Sequence, residues 1–185
     1  MLKRNLIVIL TLLATSVSFA QGKFYTKTGK ISFYSKAPLE EIEGKNKTVT
    51  AILDSKSGAM QFAVEMKGFE FQKQLMQQHF NENYVESDKY PKAEFRGSII
   101  NNSDINYSKD GTYTAKVKGK LTIHGITKDV ESTGTLKINA GKVDATSTFN
   151  VLTSDYNIKI PAIVKDKVSN NIKITVDCDL EPLKG

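Results

Sequence analysis

The chain has 185 residues and a formal net charge of +6, with 26 Lys and Arg against 20 Asp and Glu spread along its length. A dispersed excess of that size gives no basic stripe for a nucleic-acid backbone. Cys178 is the single cysteine, so no disulfide can form within the chain and the fold must rest on its apolar interior.

The first twenty residues, MLKRNLIVILTLLATSVSFA, place Lys3 and Arg4 before an apolar run from Leu6 to Leu13, then the small residues Ser18 and Ala20. This is the pattern of a secretory signal with cleavage between Ala20 and Gln21. The apolar run is shorter than the about 20 residues that span a bilayer. No cysteine follows the cleavage point to carry a lipid anchor; a retained membrane anchor is the alternative reading. Residues 21–185 then form one domain, exported to the periplasm or secreted, with 24 basic residues against 20 acidic ones, a charge of +4.

In chain order, strands are expected at Gly29–Tyr34, Thr48–Leu53, Ala59–Met66 and Ala93–Ile100. A shorter helical turn is expected to begin at Pro38, a residue that suits a first helical turn, and to stop near Gly44. In FQKQLMQQHFNENY, Phe71, Leu75, Met76, Phe80 and Tyr84 recur every three or four residues, which predicts one amphipathic helix ending before KYP.

From Thr112 the period changes to two. Tyr113, Ala115, Val117, Gly119, Leu121 and Ile123 fall on one face, with Thr and Lys on the other. Val130 to Ile138, Val143 to Val151 and Ile172 to Leu180 alternate in the same way, and SKSG, SKDG and NAGK mark turns between strands. About eight strands joined by short hairpins predict an all-β antiparallel barrel or sandwich.

The inward residues include Ala115, Gly119, Ser132, Gly134, Ala145 and Ser147, which are small for a core at crystal-like density. Either they leave a hollow, or the glycines let strands coil while large partners fill the space. Phe33, Phe62, Met66, Phe95 and Phe149 form an apolar set without charges among it. Such a lining suits a hydrocarbon better than a sugar or nucleotide. The candidate lining of a hollow is Phe33, Phe62, Val64, Met66, Phe95, Tyr113, Val117, Leu121, Phe149 and Ile174.

Signals for chemistry are sparse. His79 and His124 are the only histidines, and a metal centre needs three or four ligands at recognisable spacing. His79 with Glu82 is a weak pair on the expected helix. No nucleophile elbow or phosphate-cradling loop is present. Cys178 faces inward and reads as core. Lys116, Lys118 and Lys120 form an outward ladder, which either meets acidic headgroups or keeps the sheet soluble. No catalytic, metal or cofactor residue is assigned.

Three motifs point to one family. GKLTIHGITKDV (Gly119–Val130), KYPKAEF (Lys89–Phe95) and YNIKIP (Tyr156–Pro161) resemble, in order and approximate spacing, signatures of the YceI-like family. The resemblance implies a lipocalin-like, extended eight-stranded antiparallel barrel holding an isoprenoid or fatty-acyl chain in a central tunnel, without an established common catalytic activity. Histidines that many members carry near the first strand are absent here, and HFNENYVES is longer than the common form. In the family the position of His124 is not reserved for histidine, so His124 is read as a corner residue before Gly125.

Three functions follow as expectations. The first is an exported carrier, store or sequestering protein for a long apolar chain. The second is a lipid-modifying enzyme using His79 or His124 as acid or base. The third is a fully packed interaction barrel. The expected partner is the apolar ligand alone, with no nucleic acid and no membrane span; exposed sheet edges leave a homodimer open.

Overall fold

The computed structural model describes residues 22–183. The signal sequence read at residues 1–20 lies outside them.

Nine strands form one antiparallel sheet: β1 (Lys23–Lys36), β2 (Glu41–Asp54), β3 (Ala59–Glu65), β4 (Glu70–Phe71), β5 (Lys92–Ile99), β6 (Gly111–Ile123), β7 (Ile126–Asn139), β8 (Lys142–Leu152) and β9 (Asn171–Pro182). Their order is β1-β9-β8-β7-β6-β5-β3-β2, and β1 pairs with β2 to close the ring, with the two-residue β4 as an appendage on β2. Closure pairs the first and last strands of the order, while residues 126–133 of β7 have no register partner on β8. The expected eight-stranded barrel is therefore the fold.

Strand alternation holds along β6, while β1 shifts register between Thr26 and Ile31. Lys118 and Lys120 face outward, where they meet Glu131 at 2.6 Å and Asp129 at 3.0 Å across β7. Two of the three ladder lysines thus have cross-strand acidic partners, while Lys116 lies opposite Thr133. Such exposed pairs contribute little to stability and keep the face wet.

The helical turn expected from Pro38 to Gly44 is not formed. Glu41 opens β2, and Glu41, Ile42, Glu43 and Gly44 pair in register with Lys36, Ser35, Tyr34 and Phe33. Hairpin pairing with β1 overrides a local helix-start pattern that has too few residues to nucleate. The amphipathic helix is also shorter than its period suggests. The α-helix α1 covers Gln74–His79 and continues as one wide π-turn over Phe80–Tyr84, while Phe71 belongs to β4.

The two ends of the barrel differ. At one end a core cluster of Phe24, Leu53, Met60, Ile99, Leu136, Ile138, Val143 and Leu180 fills the interior. The β5–β6 loop plugs it from outside: Ile105 is buried, Tyr107 stacks on Phe24 with ring centroids 5.9 Å apart, and its hydroxyl donates to Asn102 at 2.8 Å. At the other end the segments 66–91 and 153–170 cross the barrel, and the interior is not filled.

Candidate functional site

The unfilled interior is a cavity of about 530 Å³ running from the open end down to Met60, Ala115 and Leu136. That lies within the about 300–1,000 Å³ typical of small-molecule sites. Its wall is overwhelmingly apolar, and the strand registers explain how.

One belt runs across three strands. Phe33 on β1 is opposite Ile174 on β9, which is opposite Phe149 on β8. A second belt joins Phe62 on β3 to Phe95 on β5 and Leu121 on β6. All six line the cavity, as do Val64, Met66 and Val117. Tyr113, the tenth expected lining residue, does not. It lies nearer the closed end, packs against the core cluster there and donates its hydroxyl to the Lys109 carbonyl at 3.1 Å.

The small inward residues divide into two groups. Gly134 pairs with Ala115 on one side and Ser147 on the other, and all three line the cavity together with Ser132 and Ala145. This patch on β6, β7 and β8 is the reason for the hollow. Gly119 behaves differently. It pairs with Gly97, and the Phe95 ring lies over the two, so that a Cβ at Gly119 would stand 2.7 Å from Phe95 Cζ. At that position the large partner fills the space, as the packed alternative requires. Both sequence readings are thus correct, each for a different part of the wall.

Sequence periodicity missed the roof of the site. Phe33, Phe69, Phe71 and Phe80 form one aromatic cluster, with Phe33 and Phe80 centroids 5.2 Å apart and Phe71 and Phe80 5.1 Å apart. Edge and offset contacts of this kind favour a fixed arrangement beyond simple burial. The cluster lashes β4 and the π-turn that follows α1 to β1. Gly44 permits it, because a Cβ there would lie 2.5 Å from the Phe33 ring. Asn46, fully buried, donates to the Glu65 carbonyl at 2.9 Å and accepts from the Thr48 amide at 2.9 Å, fixing the point where the crossing segment leaves β3. Tyr156, Ile158, Ile160, Val164 and Val168, from the β8–β9 connection, complete the roof. Tyr156, Ile158 and Ile160 lie in the YNIKIP motif, but nothing in their spacing says that they face inward.

Apart from Glu94 on β5, the charged lining residues gather at the mouth. Lys73 and Glu40 form an ion pair at 3.6 Å, and His79 and Lys167 stand on neighbouring segments. Glu94 is paired with Arg96 at 3.5 Å. Ser147 donates to the Thr133 carbonyl at 3.1 Å, so this hydroxyl is already engaged.

His124 is not a lining residue. It forms a tight β6–β7 turn with Gly125, at φ of 51° and 73°, between the paired Ile123 and Ile126. Positive φ at both central residues is what a two-residue hairpin needs. Its ring reaches Glu86 at 2.6 Å and the Tyr156 carbonyl at 3.0 Å, and packs edge-on to Tyr90. Tyr90, from KYPKAEF, would be 2.6 Å from a Cβ at Gly125, and Tyr156 opens YNIKIP, so all three sequence motifs meet at one corner. Among the described residues, no three His, Cys, Asp or Glu side chains are placed to hold a metal ion.

A family model described as a YceI-like domain matches residues 11–180. The chain belongs to the YceI-like family. Solved structures give the same fold. A polyisoprenoid binding domain from Saccharophagus degradans, implicated in plant cell wall breakdown, matches with a TM-score of 0.77 at 10% identity, over 88% of this chain and 99% of that one. BcnA of Burkholderia cenocepacia matches at 0.66 and 21% identity, over 82% and 94%. The Campylobacter jejuni YceI protein matches at 0.56 and 17% identity, over 74% and 82%. At such identities the likeness is one of fold. A comparison with curated proteins found no match.

Proposed function

We propose that this YceI-like protein holds one long apolar chain, of isoprenoid or fatty-acyl type, and carries, stores or sequesters it outside the cytoplasm. The observation that supports the reading most is the cavity itself: a deep, apolar, aromatic-walled hollow whose charged lining residues gather near one opening, apart from the surface-paired Glu94. Burial of a chain contributes about 0.8 kcal/mol per CH₂, so affinity needs few polar contacts. The solved domain from Saccharophagus degradans, described as polyisoprenoid binding, supports the same ligand class. The N-terminal signal pattern supports export.

Native mass spectrometry of gently purified protein, followed by solvent extraction, tests this. A retained polyprenyl or acyl chain is expected. Protein that emerges empty, and that takes up neither an isoprenoid nor a fatty-acyl probe, contradicts it.

His79 at the mouth favours one second reading, an enzyme that acts on the polar end of a bound lipid. Turnover of a bound lipid, diminished by His79→Ala, would support it. Binding that survives the substitution with no product formed supports the carrier.

A further inference from the structure

We propose that the open end of the barrel is a membrane-docking face that rests on an anionic lipid bilayer while the cavity loads or unloads. The inference rests on the carrier reading.

Three large aliphatic side chains stand out into solvent around the mouth: Leu39 is 72% exposed, Leu75 60% and Ile163 91%. They come from three separate segments that the structure ties together. The Leu39 amide donates to the Asp166 carbonyl at 2.9 Å, joining the β1–β2 loop to the β8–β9 connection. Lys73 pairs with Glu40, joining that loop to the start of α1. Leu75 itself, and Val164 beside Ile163, line the cavity, so the exposed trio surrounds the opening and is continuous with its wall. Scattered single apolar residues need no explanation, but convergence on one opening does.

Charge selects the occupant. The β8–β9 connection carries Lys159, Lys165 and Lys167 against Asp166 between residues 159 and 168. Among the described residues none of these three lysines has an ion-pair partner, so their charge is open to an anionic surface. Exposed aliphatic side chains beside a segment carrying three unpaired lysines match the boundary between acyl chains and anionic headgroups. A docked mouth would also let an apolar chain pass between bilayer and cavity without crossing water.

The test is co-sedimentation of the protein with vesicles of phosphatidylglycerol and phosphatidylcholine in equal parts, against phosphatidylcholine alone. The wild type should pellet with the anionic vesicles, and less at high salt. Lys165→Glu with Lys167→Glu should weaken this at least about tenfold, since each lysine near such a surface contributes about fivefold. Ile163→Asp, at a fully solvated position that folding does not need, should weaken it at least about tenfold as well. Ile100→Asp is the control, because Ile100 is 61% exposed at the closed end and should have no effect. Failure of the wild type to pellet, an unchanged Ile163→Asp variant, or an equal loss in Ile100→Asp would overturn the proposal. Uptake of a soluble short-chain isoprenoid probe in the same samples separates the two readings. Uptake without pelleting refutes the docking face alone, and pelleting without uptake refutes the carrier.

Discussion

His124 Nε2 lies 2.6 Å from Glu86 Oε2, and Nδ1 of the same ring lies 3.0 Å from the Tyr156 carbonyl. One side chain therefore pins both crossing segments to the β6–β7 turn. Glu86 follows the helix and Tyr156 begins the roof from β8, so the corner sets where the cavity is covered.

His124→Ala should lower the unfolding free energy by about 1–2 kcal/mol, measured by urea denaturation, because Glu86 is partly solvated and its bond is worth less than a buried one. His124→Asn should keep the turn, which tolerates Asn at positive φ, but lose the link to Glu86. A double-mutant cycle with Glu86→Gln should show coupling between the two positions. Additive effects would contradict a direct bond.

Gly119→Ala tests the packed part of the wall. Its Cβ would stand 2.6 Å from both the Arg96 carbonyl oxygen and Gly97 Cα, which are backbone atoms and cannot swing away. A loss of about 1–3 kcal/mol is expected by chemical denaturation. Trimming Phe95 to Leu in the same chain should not restore it, since the clash is with the neighbouring strand.

Cys178 is buried against Gly29, and burial pushes its thiol up to about 11. Native protein should resist iodoacetamide at mildly alkaline pH and react only as it unfolds. The sign for stability follows from the raised value. The neutral thiol is favoured in the folded state, so its contribution is complete below about pH 9, where the unfolded thiol begins to ionise, and is lost as pH rises to about 11. The difference in unfolding free energy between wild type and Cys178→Ala should shrink across that window. Tyr107, held up to about 12 by its own burial, is common to both chains and cancels in the difference.

The strand faces were legible because a period of two survives any context in which one face is buried. Tyr113 was misplaced because alternation names a face and not a depth: it shares the face of Ala115 and Val117 but lies where the core has already filled the barrel. Pro38 misled for the opposite reason, a local signal outweighed by eleven register pairs between β1 and β2. The mouth was the least legible part. Phe69, Tyr156 and Ile158 face inward only because distant strands bring their segments across the opening, and no local period records that.

The central claim is that the patch of Ala115, Ser132, Gly134 and Ser147 keeps the barrel hollow for an apolar chain, and a chain-length titration tests it most directly. Protein stripped of any bound lipid is titrated calorimetrically with isoprenoid alcohols of increasing length, alongside Ser132→Phe, which fills part of the hollow. Affinity should climb with each added isoprene unit until the cavity is full, at about 0.8 kcal/mol per buried CH₂ as an upper slope. The variant should reach its plateau at a shorter chain with its fold intact by circular dichroism. Affinity independent of chain length, or an identical plateau in both proteins, would contradict the account.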